Sequence, residues 1–591
     1  MIIRSLVDYY EQLRESGAED VPGYGWLSQS IHYYLLLAPD GRLQSIAPCG
    51  SEGRGVVAIV PQKLRGTSDG KANFLWDSAL YLLGVREDGQ LEPDLKSFNK
   101  SKALHEEVLA DCEGEVSKAI KNFYARWDPS IEKLDAVPGF SDDMLSKGKF
   151  LAFCIASDSG IAKASEDYAI KRGWDTWYSA SSDLPVMVSL VTGNVGPIAL
   201  KHPIVKGIGG GTSKLVSFNQ EAFESYGHVG QQGRNAPVDL VSAHAYASAL
   251  NYLAANPEHR SILNGATTLY WSSSLASDQA NCSVFSLVMG FTPAGNGGNG
   301  ENGQLLEIGA VVKSLSKGKP VHGGDIVLDD EFFLLGVDAS SKGRLSVRFY
   351  LHDTFGDMMR HVVAHYRIAE VCHRDDAPAF VTPYSILKSI EKPKSDNKAK
   401  GKSKNEFALG SPLGASLLRA VLLGGRYPEA LYKSVLLRIH SKGVVWHAHA
   451  SIIRAYLIRN ANKEESEVTV NLNTENTDTA YLLGRAFRIM ETIQWYASKK
   501  ETLAGRYLGS ASASPSTTFP VLLRLNVAHR SKLAREKPKL CTALEKQLAE
   551  ALGQIGPVFP KHLSLNEQGG FFLGYYQQKW NVFRKGDEEE E

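Results

Sequence analysis

The stretch Thr477-Asp478-Thr479-Ala480-Tyr481-Leu482-Leu483-Gly484-Arg485-Ala486-Phe487-Arg488-Ile489-Met490-Glu491-Thr492-Ile493-Gln494-Trp495-Tyr496-Ala497 decides how the last part of the chain folds. Leu483, Ala486, Phe487, Met490, Ile493 and Ala497 recur at helical spacing and form one apolar face. Thr477 or Asp478 stands where an N-cap belongs, its side-chain oxygen accepting from the first unpaired backbone N–H groups. Downstream, Pro520 opens a second helix with Leu522, Leu525 and Leu533 on one side and Arg524 and Arg535 on the other. Pro538 opens a third, carrying Leu540, Leu544, Leu548, Leu552 and Ile555 and ended by Gly556-Pro557, and Ser564 with Glu567 makes a capping box for a fourth. Four helices on short links predict a compact bundle over 476–591. Upstream, 405–475 also reads as helical, in segments 413–423, 428–440 and 444–459.

Residues 1–390 have a mixed rhythm. Helical spacing of Leu6, Tyr9, Tyr10 and Leu13 is followed by strand-like runs at 31–37, 56–60, 150–155, 186–191 and 267–271. Helical patterns occupy 97–135 and 237–255, Pro39-Asp40-Gly41 marks a turn, and 332–338 with 344–350 reads as a hairpin of aromatic and β-branched residues. The Gly-rich run 294–303 reads as a loop, and 391–404, with six lysines against two acids, as a solvated linker or loop. The expected fold class is therefore α+β: a mixed α/β region over 1–390, then an all-α C-terminal part.

A chain of 591 residues exceeds what one hydrophobic core organises. Lys plus Arg and Asp plus Glu both number 65, so any surface for a polyanion must be local. One candidate is 499–539, where nine Lys or Arg face two Glu. Cys49, Cys112, Cys154, Cys282, Cys372 and Cys541 show no paired spacing, which argues against a disulfide framework or a zinc site. The first residues lack the apolar core of a signal peptide, and no apolar run approaches the roughly 18 residues of a membrane span, so a cytoplasmic protein with no membrane partner is expected.

Residues 63–77 combine a polar, basic tip with an apolar base. Arg65 and Thr67 suit phosphates, Lys71 and Asn73 offer donors to base edges, and Phe74 is a candidate wedge between bases. The plainer alternative is a surface loop with Phe74 joining Trp76 in the core. Residues 207–214 are glycine-rich and end in Lys214, but the order Gly-Thr-Ser-Lys departs from a Walker loop. A backbone-approach loop with Lys214 on a phosphate, or a simple turn, remains. Catalytic patterns fail: His361 and His365 enclose Val362 where a zinc protease needs Glu, His352-Asp353 lacks partners for a metal shell, and His447 with His449 point to different faces of a helix. No catalytic residue, metal or cofactor is expected.

Several ordered segments together resemble the large subunit of the type I-C CRISPR Cascade complex. They are 73–77, 209–219 with 222–227, 476–478 with 480–485, 506–513, and 559–569 with 573–576. The resemblance implies a non-catalytic subunit of an assembly bearing CRISPR RNA, with backbone and small subunits as partners. It implies recognition of a protospacer-adjacent motif in target double-stranded DNA, help in strand separation, stabilisation of the displaced single strand, and recruitment of a separate helicase-nuclease. On that basis Lys71, Asn73 and Phe74 are assigned to the motif, Arg65, Thr67 and Lys214 to phosphates, and Arg506, Arg524, Arg530, Lys532 and Arg535 to the displaced strand. The 476–591 bundle resembles a small subunit, which in this family can arise by internal initiation; Met490 falls inside the first helix. The rivals are a metal-dependent nuclease using His352 and Asp353, and a purely architectural RNA- and protein-binding subunit.

Overall fold

The computed structural model describes the chain from Ile2 to Asp587, except residues 19–20, 51–54, 65–70, 88–90, 158–159, 181–183, 209–212, 219, 225–226, 264–265, 292–313, 315–325, 340–342, 374–379, 391–411 and 500–502. Two compact units emerge. One comprises Ile3–Val205 with Lys214–Tyr252, the other Lys206–Ser213 with Leu253–Glu591.

In the first unit, Tyr33–Leu37 alternates buried and half-buried residues, the period of a strand with one face in the core. Asp40 Oδ1 accepts from the Arg42 N–H at 3.1 Å and Gly41 adopts φ 86°, so the chain returns antiparallel as Leu43–Pro48. Leu151–Ser157 lies parallel on the opposite side of Tyr33–Leu37. Its own far edge is shared by Trp76–Asp77 and Gly160–Lys163, both antiparallel, completing a five-stranded mixed sheet. The crossover between the parallel strands contains helices Leu95–Leu109 and Glu115–Arg126, whose Phe98, Ile120 and Phe123 join Leu35 and Phe153 in one core. Val56–Pro61 pairs with Trp26–Ile31 in a separate ribbon, and the strand expected over 186–191 is shorter, Val186–Val188 against Val195–Pro197.

The second unit begins with four antiparallel strands in sequence order, Arg260–Leu263, Ala266–Ser272, Glu331–Ala339 and Leu345–Thr354. Helices Leu275–Met289 and Phe355–Ala369 share a core with this sheet. Helices Pro383–Ile390, Pro412–Leu422, Glu429–Lys442 and His447–Arg459 follow, then Thr479–Ser498, Leu503–Ala513, Pro515–Glu536, Pro538–Gly553 and Leu565–Asp587. The architecture is α+β, mixed toward the N-terminus and helical toward the C-terminus. No helix among the described residues is long and apolar enough to cross a membrane.

Three expectations need correction. The Lys-rich 391–404 segment lies outside the described residues and does not mark a division of cores: Phe355 and Ile386 before it share one hydrophobic cluster with Leu417, Ile453, Phe487 and Phe571 after it. The helix expected from Pro520 starts at Pro515, which fills the N1 position where a missing N–H is harmless; Pro520 lies one turn inside, and Leu503–Ala513 is an additional helix. The helix with one expected apolar face is buried all round, from Ala480 through Gln494. Neighbouring helices surround it, and its polar residues are paired: Arg488 Nη1 meets Glu491 Oε2 at 2.6 Å, and the Tyr575 hydroxyl donates to the same oxygen at 2.7 Å. Close approach is set by Gly484 and Gly574. A Cβ at Gly484 would strike the Phe571 carbonyl, and one at Gly574 the Tyr481 carbonyl.

Candidate nucleic-acid interface

The segment 73–77 is a buried clamp instead of a tip. Asp77 accepts from the Asn73 N–H at 2.9 Å through Oδ2 and from the Ser78 N–H at 2.8 Å through Oδ1. Leu75 adopts φ 63°, uncommon for a residue with a Cβ, and its N–H donates to His105 Nε2 at 2.9 Å. The other ring nitrogen of His105 donates to the Ser101 carbonyl at 2.7 Å, so both nitrogens are engaged only in the neutral ring; burial lowers its pKa to about 4. Phe74 stacks on Trp174, centroids 5.2 Å apart and planes 11° apart, and Trp76 Nε1 donates to the Pro61 carbonyl at 2.8 Å.

The sequence assignments change accordingly. Asn73 and Phe74 both have 0% exposure, so the expected base reader and wedge are core residues; the apolar ring and the turn's backbone bonds are satisfied inside. The Asn73 side-chain amide has no hydrogen-bond partner among the described residues. Lys71 is exposed, at the edge of the loop, while Arg65 and Thr67 lie outside the described residues. Lys214 is half-buried, its pKa lowered by burial first and by the charge of Lys201 second; a bound anion would relieve the second effect. The glycines of 209–212 lie outside the described residues.

In the bundle, helix Pro515–Glu536 buries Phe519, Leu522, Asn526 and Leu533. Leu525, expected with them, is 39% exposed, because position 525 falls well round the helix from Leu522 and Leu533. On the opposite face Arg524 and Arg535 are exposed and have no ion-pair partner among the described residues. Three turns separate them, about 16 Å along the axis. Ala528 and Ser531, both small and exposed, lie between. Lys532 stands at the edge of this face, about 60° round the helix from Arg535, in a loose pair with Glu536 at 3.8 Å. Arg530 does not: it sits further round the helix, 3.0 Å from Glu545 of the adjoining helix. Arg506 is exposed on Leu503–Ala513. The structure thus sets Arg524, Lys532 and Arg535 in one stripe and separates Arg530 and Arg506 from it.

His365 is buried, 2.6 Å from the Tyr427 hydroxyl, and burial lowers its pKa to about 3. His352 is exposed beside Tyr350 and Phe333, and Asp353 accepts from the Thr354 N–H at 2.9 Å. The structure does gather a trio that the cysteine spacing gave no reason to expect, His259, Asp278 and Cys282, all buried. Cys282 Sγ lies 3.4 Å from Asp278 Oδ1 and 3.5 Å from His259 Nδ1, and burial, then the Asp278 charge, raises its thiol pKa well above the ordinary value. The only sequence trace of this trio is the i, i+4 spacing of Asp278 and Cys282.

No curated protein matches the chain. A family described as CRISPR-associated protein (Cas_Csd1) matches residues 6–583, nearly the whole chain. The chain belongs to this family of CRISPR-associated proteins.

Proposed function

We propose that this protein is the non-catalytic large subunit of a type I-C CRISPR RNA-guided DNA surveillance complex, and that its C-terminal bundle holds the displaced strand. The observation that carries the reading is the exposed stripe of Arg524, Lys532 and Arg535 in a chain whose charge totals zero. A single strand needs a row of cations able to meet phosphates without rearranging the core. Among the described residues Arg524 and Arg535 are paired with no carboxylate, so a phosphate has no such ion pair to displace there. Contact with the duplex motif falls to Lys71, exposed beside the 73–77 clamp. Asn73 and Phe74 are buried and take no part in touching DNA. CRISPR RNA, backbone and small subunits and a separate helicase-nuclease are the partners of this reading.

The test is single-strand DNA binding by the full chain across a salt series. Replacing Arg524 and Arg535 together by Ala removes two phosphate contacts and lowers the slope of log K against log salt by about 1.4. An unchanged slope would sink the displaced-strand assignment. DNA cleavage by the purified chain with a divalent metal, abolished by Asp353→Ala, would replace this reading by the nuclease.

A further inference from the structure

Helix Thr479–Ser498 stays buried from Ala480 to Gln494 and reaches the surface at Trp495, which is 36% exposed. Tyr496 beside it is half-buried and anchored on the core, and the two rings meet edge to face, centroids 4.7 Å apart and planes at 78°. Two ammonium groups converge on them. Lys499 Nζ lies 4.3 Å from the Trp495 centroid and 5.5 Å from that of Tyr496; Lys537 Nζ, from the junction of the next two long helices, lies 5.4 Å from Tyr496. Neither lysine has an ion-pair partner among the described residues. The backbone adds an independent sign. Lys499 is the helix C-cap in the left-handed region, φ 56° and ψ 26°, where glycine is the usual occupant. A long cationic side chain held there sets its charge against an exposed indole.

From this arrangement we infer that Trp495 and Tyr496, flanked by Lys499 and Lys537, form a stacking platform for one unpaired nucleobase of a single-stranded nucleic acid. An indole surface takes the π-face of any base; Lys499 lies over the Trp495 ring in the free chain, and a stacking base displaces its ammonium from that face toward the adjoining phosphate, with Lys537 supplying a second cation beside Tyr496. The platform serves a polyanion: no carboxylate is paired with either lysine among the described residues, so an acidic strand meets uncompensated charge. The inference rests on the bundle being a strand-holding surface, and it adds a base contact to the phosphate contacts of the Arg524 and Arg535 stripe.

The experiment uses the full chain with oligo-dT carrying one 2-aminopurine, and oligo-U and a blunt duplex as separate arms. Trp495→Ala is expected to weaken dT binding about tenfold and to remove the quenching of 2-aminopurine, whereas Trp495→Phe keeps most of both. Lys499→Gly, which suits the left-handed backbone, lowers affinity while leaving thermal stability at or above that of the wild type. Equal loss in the oligo-U arm extends the platform to RNA; loss in the duplex arm as well would contradict an unpaired base. If Trp495→Ala binds dT as the wild type does while the Arg524/Arg535 double variant is impaired, the platform is wrong and the strand-holding bundle stands. If the wild-type chain binds no single strand, both fall.

Discussion

At the scale of single residues, His105 shows how a buried ring can pin a turn. Its Nε2 accepts from the strained Leu75 turn and its Nδ1–H donates to Ser101, so a second proton would oppose the Leu75 N–H. With the folded pKa lowered to about 4, below the unfolded value near 6.5, the unfolded chain binds the proton first as pH falls. The stability linked to His105 is therefore complete above pH 6.5 and is lost progressively toward pH 4, by at most about 3 kcal/mol. Urea unfolding at a series of pH values should show this loss, and His105→Gln should flatten that part of it. Phe74→Ala is expected to cost about 3–5 kcal/mol of stability, read as a drop in unfolding midpoint without any DNA present. The sequence made the types at 71–77 plain but not their direction. A basic loop running into an aromatic reads equally as a tip or as a plug, and the deciding partners, Trp174 and His105, lie 100 and 31 residues from Phe74 in the chain.

Among the elements, the crossing of Thr479–Ser498 with Leu565–Asp587 makes the sharpest demands. Gly484→Ala must push a methyl into the Phe571 carbonyl, backbone that cannot yield like a side chain, and overpacking of this kind costs about 1–3 kcal/mol or more. Gly505→Ala, in a helix where an added Cβ meets nothing within 4 Å, should instead stabilise by about 0.4–1 kcal/mol. Thermal unfolding of the two variants checks both signs. Element types were legible because capping residues speak locally: Asp478 accepts from the Ala480 and Tyr481 N–H groups, and Ser564 with Glu567 forms the expected reciprocal box. Helix starts were less so where Pro515 and Pro520 compete for one role. The burial of Arg485, Arg488 and Glu491 was not legible, since charged residues at helical spacing ordinarily mark a solvated face.

Over the whole molecule, the sequence yields the order of mixed and helical regions but not where the chain divides. A run of lysines suggests a border, yet the cores on its two sides are one. Tyr432 stacks on Tyr456 at 3.8 Å and its hydroxyl donates to the Leu565 carbonyl at 3.0 Å, tying the helices before 460 to the last helix. A fragment covering 476–591 alone is therefore expected to be less stable than the same helices in the full chain, measured as earlier loss of helical circular dichroism on heating. The interlock at Gly484 and Gly574 carries this further. A product initiated at Met490 would begin past Tyr481, Gly484 and Phe487, leaving Phe571, Gly574 and Tyr575 open to water. Such a product would be born with an open seam, and a fragment starting at Met490 is expected to precipitate or to lose its helices on heating sooner than one that keeps Gly484.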